Sequence, residues 1–329
     1  MSLHFFIGSV YSVIMKENGL RQIAQIAGCS CATVSRVLNN RDGISSPVRK
    51  KILSIARQLS YRKPRTKRII ALLAALDHDG FDMYTMRLLR EIVLKLHQKN
   101  FHAEVLFDDD SNILGQHYIS GVISLHHTRH MAELLGTKCN IPMVCVNDYD
   151  NLPENVCKVV SDDREAIIGA VNYLIAKKCF QICLLVPDNP ENLNTVSRIN
   201  AFNEYARHTG LQEFCHVIYT RNNDRPTIPV DTCIEMLPAN CQAVISTIEA
   251  ITPELYKRLK ALRPEIRLLS WSYSWQQASL PSDLPCMQQD FDSVAESAVQ
   301  TIVDLLNNKK VFNTRVPYIF KPPQTPYAE

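Results

Sequence analysis

Between Lys16 and Arg68 thirteen basic side chains stand against two acidic ones, Glu17 and Asp42, a local charge of about +11 in a chain whose total is +3, which leaves about −8 elsewhere. At this density guanidinium and ammonium groups neutralise phosphate and displace its counterions. A small basic module attached to an acidic body is the electrostatic footprint of a nucleic-acid partner. Arginine adds a second capacity: its planar fork pairs in bidentate fashion with the major-groove edge of guanine, worth about 1–3 kcal/mol of discrimination. Arg36 is the candidate for that chemistry, with a solvated helix face as the plainer reading.

Such side chains need a scaffold, and residues 20–60 carry the pattern of three short helices. Leu20, Ile23, Ala24 and Ala27 fall on one helical face. Gly28 ends the run, because glycine takes the left-handed backbone that a helix C-terminus often requires. Ser30 suits the N-cap of a second helix, whose apolar positions are Val34, Val37 and Leu38. Asn39-Asn40-Arg41-Asp42-Gly43 reads as a loop. Ser46 reads as the cap of a third helix with Pro47 at its first position, and Val48, Ile52, Ile55, Ala56 and Leu59 as its buried face. Helix, glycine turn, helix is the helix-turn-helix layout, whose second helix enters the major groove.

The segment LRQIAQIAGCSCATVSRVLNNRDGISSPVRKKILSIARQLSY, residues 20–61, resembles the headpiece of the lactose-repressor (LacI/GalR) family. The likeness rests on I-A-x-x-A-G-x-S-x-A-T-V-S-R-V-L-N, then S-x-x-x-R-x-K-I and L-x-Y. It implies a DNA-binding transcription regulator. Cys31 and Ala32 stand where that family places base-reading side chains, and Arg36 lies one turn further on the same face. Cys31 and Ala32 offer only apolar or weak contacts, such as to a thymine methyl. Thr33, Ser35, Asn39, Ser46 and Arg49 read as phosphate contacts, which set register rather than sequence. The basic linker, residues 62–68, adds Lys67 and Arg68 to that set.

The linker departs from the family. Members usually have about twice this length, which folds into a hinge helix and inserts a leucine into the minor groove. Here the run Arg62-Lys63-Pro64-Arg65-Thr66-Lys67-Arg68 has no leucine and no room, and Pro64 disfavours helix just before it. The expectation is operator binding without hinge-helix intercalation, with the linker as an extended basic arm.

From Ile69 apolar strands alternate with amphipathic helices. Strands are expected at Ile69–Leu76, Ala103–Phe107, Gly121–Leu125, Met143–Val146, Ile182–Val186, Val217–Tyr219, Ala243–Ser246, Leu268–Trp271 and Tyr318–Phe320. Apolar strands between helices argue for parallel sheets covered on both faces. The resemblance continues more weakly through "NIPMVCVND", "VVSDDREAIIGAVNYLIAKKCFQICLLVP", "SRINAF" and "QQDFDSVAESAVQTIVDLL". It implies a fold of an all-α helix-turn-helix headpiece plus an α/β, two-lobed, periplasmic-binding-protein-like sensor with parallel sheets. The expected division is an extension at 1–14, a head at 15–61, the linker at 62–68, and an effector-binding and dimerisation domain at 69–329. Within the last, lobe one takes about 69–160 and 292–308, and lobe two about 161–288 and 316–329. A homodimer with two heads on an inverted-repeat operator follows from the likeness.

Ligands of such sheets bind outside the carboxyl ends of strands. Candidates there are Asp79, Phe81, Asn147, Asp148, Glu249, Trp271 and Tyr273, with Asp77, His126, Asp188 and Trp275 nearby. Arg198, in S-R-x-x-A-F, matches the family's ligand-contacting arginine; an inter-helix ion pair is its plainer reading. Trp271, Tyr273 and Trp275 share one face if extended, as a stacking platform for a sugar or as core aromatics. Where the family has Gly-aromatic-Asp-Asp this chain reads Ser270-Trp271-Ser272-Tyr273-Ser274, and Ile248-Glu249 stands for its Asn-Asp pair. These departures leave the effector class open and allow a dimer whose sensor has lost ligand response.

Other signals are quieter. Eleven cysteines are scattered without disulfide or zinc spacing and read as core residues of a reducing cytosol, hence a cytoplasmic protein. His126, His127 and His130 lack a further ligand at metal spacing, so no metal or cofactor is expected. No apolar run is long enough for a membrane span. Residues 1–14 lack the layout of a secretory signal and read as a poorly ordered extension ahead of Met15. Glycine-rich nucleotide loops and a nucleophile elbow are missing, so an enzyme is not expected.

Overall fold

The computed structural model describes residues 19–59, 61, 68–74, 83–107, 118–125, 141–147, 156–187, 193–220, 229–272 and 281–323. The extension at 1–14, residues 62–67 and the histidine group lie outside them.

The head is three helices. The first, α1, spans residues 19–27, and Gly28 closes it at φ +69°. Ser30 caps α2 (Cys31–Leu38), its hydroxyl accepting the Thr33 N–H at 3.1 Å. Ser45, in extended conformation, is the N-cap of α3 (Ser46–Gln58), so the expected cap at Ser46 is displaced by one residue. Ser45 makes no side-chain cap bond, and Ser46 and Pro47 open the helix. The inward face of α3 also differs: Val48, at the flank of the first turn, is exposed, and Arg49 and Leu53 join Ile52, Ile55 and Ala56 inside. These residues meet Ile23, Ala24 and Ala27 of α1 and Val34, Val37 and Leu38 of α2 in one small core.

Beyond the head two sheets follow one plan. The first contains β1 (Arg68–Leu73), β2 (Phe101–Leu106), β3 (Gly121–Ser124), β4 (Met143–Val146), β5 (Val156–Ser161) and β11 (Thr314–Val316), ordered β2-β1-β3-β4-β5-β11. The second contains β6 (Ile182–Val186), β7 (Cys215–Tyr219), β8 (Ala243–Ser246), β9 (Arg267–Ser272), β10 (Cys286–Gln288) and β12 (Ile319–Lys321), ordered β7-β6-β8-β9-β10-β12. Both orders reverse direction beside the first strand of the sheet, at β1/β3 and at β6/β8, the switch points where open α/β sheets hold ligands. The pairs among β1–β5 and among β6–β10 are parallel. The expected parallel sheets are present, and one edge strand, β12, runs antiparallel to β10. Sequence periodicity did not anticipate β5, β10 or β11. Lys158 interrupts β5, and the other two are three residues each, too short to show a period.

Contacts divide the chain into two units: Met1–Val146, Asp150–Val159 and Ala295–Asn313 in one; Asn147–Tyr149, Val160–Val294 and Thr314–Glu329 in the other. In the first, the ammonium groups of Lys95 on α4 (Met83–Gln98) and of Lys99 just after it reach Glu296 of α9 (Phe291–Leu306) at 3.6 and 3.1 Å. In the second, α5 (Asp163–Ala176) and α6 (Leu193–His208) cover one face of the sheet through Ala166, Ile167, Ala170, Leu174 and Phe202. On the other face α7 (Val230–Glu235) and α8 (Thr252–Leu262) bury Cys233, Ile234, Leu255 and Leu259.

Seven of the ten described cysteines are buried and all ten are free thiols; Cys139 lies outside the described residues. Burial pushes the Cys215 and Cys286 thiols up to about 11, so both stay protonated at neutral pH. The Cys183 and Cys241 sulfurs stand 3.6 Å apart. Among the described residues no group of side chains is arranged to hold a metal ion, and no helix is long and apolar enough to cross a membrane.

The cap at Ser30 is the local bond that starts α2. Ser30→Ala is expected to destabilise the head by about 1 kcal/mol. Faster hydrogen exchange at the Val34–Leu38 amides, with the sheets unchanged, is the readout.

Candidate functional site

The α2 helix sorts its eight residues cleanly. Val34, Val37 and Leu38 are buried against α1 and α3, and Cys31, Ala32 and Arg36 face outward. The expected base-reading residues therefore share the exposed side of the helix. Arg36 does not extend freely: its Nη2 donates to the Asp42 carbonyl at 2.9 Å. Gly43 sits beside it at φ +82°, where an added Cβ would stand 3.1 Å from that nitrogen. The loop after α2 thus both holds the guanidinium and leaves space for it.

The expected phosphate contacts divide. Ser46 is exposed at the start of α3, and Arg68, half-buried, opens β1; Lys67 lies outside the described residues. The Thr33 hydroxyl is 2.9 Å from the Ser30 hydroxyl. Asn39 donates from Nδ2 to the Ser35 carbonyl at 2.7 Å and lies 3.3 Å from the Ser35 hydroxyl. Arg49 departs from expectation: it is 8% exposed, and its Nη2 donates to the Arg41 carbonyl. Its stem fills the α3 face, so its charge braces the loop from inside instead of projecting outward. Sequence spacing missed this because an arginine stem packs like an aliphatic chain.

The second unit concentrates polar groups where its strands end. Thr220 follows β7, Thr247 follows β8, Ser272 ends β9 and Gln289 follows β10; Ser161, in the same unit, ends β5 of the first sheet, and all are buried. Gln289 donates to the Ser161 hydroxyl at 2.6 Å, and Asn147, at φ +52°, accepts the Ser161 N–H at 2.8 Å. Glu249 accepts from the Ser272 hydroxyl at 3.0 Å. Arg198 on α6 donates from Nε to the Asp163 carboxylate of α5 at 2.7 Å, with side-chain exposures of 5% and 1%. The Tyr318 hydroxyl donates to the same Asp163 oxygen at 2.9 Å and accepts from Arg198 Nη2 at 3.2 Å. The Arg198 guanidinium also lies 5.4 Å from the Trp271 ring centre, and Tyr318 meets that ring edge-on. Trp271 is fully buried among Leu184, Phe202 and Leu269, so it is a core aromatic and not an open stacking surface. Asp79, Phe81, Asp148 and Tyr273 lie outside the described residues, as do Asp77, His126, Asp188 and Trp275.

Residues 19–63 match the family model described as "Bacterial regulatory proteins, lacI family". The head is thus a lacI-family domain, and the rest of the chain resembles regulators that carry such a head. It is 25% identical over 211 residues to the HTH-type transcriptional regulator GalR of Streptococcus thermophilus, covering 59% of this chain and 62% of that one, so the match spans less than two thirds of the relative. In fold it is similar to the Lac repressor dimer bound to operator and the anti-inducer ONPF, with a TM-score of 0.63 at 16% identity over 91% of this chain and 96% of the other. It is also similar in fold to a LacI family regulator from Enterococcus faecium with bound ribose, with a TM-score of 0.62 at 16% identity over 78% of this chain and 100% of that one.

In this chain with a lacI-family head the hydroxyl and amide groups at the strand ends were not singled out from sequence. A signal existed: each apolar run closes on a small polar residue, as in Val-Ile-Ser-Thr at 244–247 and Val-Val-Ser at 159–161. Arg198 proves to be part of a buried ion pair, the plainer of its two readings. Removing one member of such a pair leaves an uncompensated charge, at a cost of about 3–5 kcal/mol. Arg198→Met is therefore expected to lower denaturant stability by that order, and Asp163→Asn combined with it to recover part of the loss.

Proposed function

We propose that this protein is a dimeric, cytoplasmic, sequence-specific DNA-binding transcription regulator, acting as a repressor, whose hold on an inverted-repeat operator is modulated by a small molecule. The carrying observation is the division of α2, with its apolar residues packed inside and Cys31, Ala32 and Arg36 outside. Arg36 reads a guanine once it exchanges the Asp42 carbonyl for a base edge. Ser46, Lys67 and Arg68 meet phosphates, and the short linker follows the backbone as an extended arm. Support for pairing comes from α4, where Met86, Val93 and Leu94 are exposed, Met86 by 46%.

A sugar or related metabolite is the effector favoured by the row of buried hydroxyl and amide groups at the strand ends of the second sheet, since such groups suit a hydroxyl-rich ligand. The fold-similar E. faecium protein holds ribose. The competing reading is a dimer whose sensor no longer responds. It is favoured by one observation: Arg198, Asp163 and Tyr318 already satisfy one another without a ligand. Thermal-shift screening against sugars and purines separates the two, because a ligand at a hundred times its Kd stabilises by about 2.7 kcal/mol. A flat response across the screen removes the sensing half of the proposal.

DNA reading is tested by selecting duplexes from a randomised pool with the purified protein. Affinity for the selected duplex is expected to fall steeply with salt. Arg36→Ala is expected to cost about 1–3 kcal/mol on the selected duplex and little on a scrambled one. Substituting Lys67 or Arg68 is expected to weaken both duplexes alike. Equal loss on both duplexes for Arg36→Ala removes its base-reading role.

A further inference from the structure

One residue of the first sheet's domain reaches into the head. Tyr118 lies three residues ahead of β3, far from the head in sequence, and its ring packs against the head's core. Its backbone N–H donates to Asn40 Oδ1 at 2.8 Å. Its hydroxyl donates to the Tyr61 carbonyl at 2.9 Å. Burial raises the Tyr61 hydroxyl above its ordinary value, and Tyr118 adds to that shift, as expected of two phenols in one apolar seam. Two residues on, the Ser120 N–H donates to the Ile69 carbonyl of β1 at 2.8 Å. The linker is thereby pinned at both ends, at Tyr61 and at Ile69, by a segment only three residues long.

The grip on Asn40 matters for the DNA-facing loop. Asn40 stands at φ +53° immediately before Arg41, whose carbonyl takes Arg49, and Asp42, whose carbonyl takes Arg36. Two guanidinium groups, from α2 and α3, and the Tyr118 backbone N–H therefore fasten one five-residue loop.

We propose that Tyr118 is a positioning residue for DNA recognition, fixing the head and its α2–α3 loop in one orientation on the domain that carries it. The inference rests on the reading of α2 as a DNA-reading helix. Two heads that must meet two half-sites at once gain from fixed orientation, because the ordering entropy is already spent before binding. A single head meeting a single half-site gains almost nothing from it.

The test uses the full chain and the duplex that the wild-type protein selects from a randomised pool, alongside a version in which one half-site is scrambled. Tyr118→Phe removes the hydroxyl that bonds Tyr61, and Asn40→Gly keeps the left-handed backbone while removing the acceptor of the Tyr118 N–H. Each is expected to weaken binding to the two-half-site duplex about two- to tenfold, the worth of one hydrogen bond. Binding to the single half-site is expected to change less than about twofold, well below one such bond. Hydrogen exchange at residues 40–43 is expected to quicken without a change in the melting of the sheets. Equal losses on both duplexes mean that Tyr118 merely supports the head's fold, and unchanged binding means that it positions nothing; either overturns the proposal. Failure of the wild-type protein to select any duplex instead sinks the DNA-reading assignment beneath it.

Discussion

An eight-residue helix cannot hold itself together in water, because nucleation costs more than so few turns return. Helix α2 of this chain is of that length, and its survival is a tertiary matter. Three inward residues and one serine cap fix where it lies. The backbone carbonyls of the loop that follows fix how its side chains are presented. Arg36 and Arg49 approach that loop from α2 and α3 and bond to neighbouring carbonyls, Asp42 and Arg41. A guanidinium held on a neutral carbonyl keeps its charge and gives up only one bond when a guanine edge or a phosphate replaces it. The head is thus ordered before DNA arrives, at small cost to binding.

The second sheet meets a different demand. It places polar side chains in an apolar interior, where each costs free energy unless partnered. Asp163, Arg198 and Tyr318 meet that cost by closing on one another, with the Trp271 ring beside them. Such a cluster does little for stability relative to apolar packing. It does set orientation: α5, α6 and the turn before β12 have to arrive together for all three bonds to form. The same interior leaves the Trp271 indole N–H without a hydrogen-bond partner among the described residues. A cost of that kind is tolerated where shape or ligand chemistry requires the ring.

Much of this was legible in the chain because period and punctuation agreed. Ile23, Ala24 and Ala27, then Gly28, then Ser30, then Val34, Val37 and Leu38 state two helices and the break between them, and the break is where glycine adopts its positive φ. Met143–Val146, Ile182–Val186 and Ala243–Ser246 form strands with the bounds their apolar runs define. What escaped was decided by long-range geometry. Arg49 looks like a phosphate ligand until α3 turns it inward; Trp271 looks like a platform until α5 and α6 cover it. Tyr118 carried no local signal, since its partners Asn40 and Tyr61 lie 78 and 57 residues away. The family likeness supplied the role of α2 but not the contacts that hold it.

The shortness of the linker gives those contacts their weight. In a chain with a long connection, the head is a separate body until DNA orders the segment between, and binding bears the entropy of that ordering. Here seven residues separate Tyr61 from Ile69, a span of about 25 Å at full extension. Residues 118–120 close that span from the side, bonding to the carbonyls of Tyr61 and Ile69. Both flanks of the linker, at Tyr61 and at Ile69, are therefore bonded to one strand lead. Orientation that a hinge helix would impose on arrival at DNA is, in this chain, already carried by a tyrosine and two backbone amides.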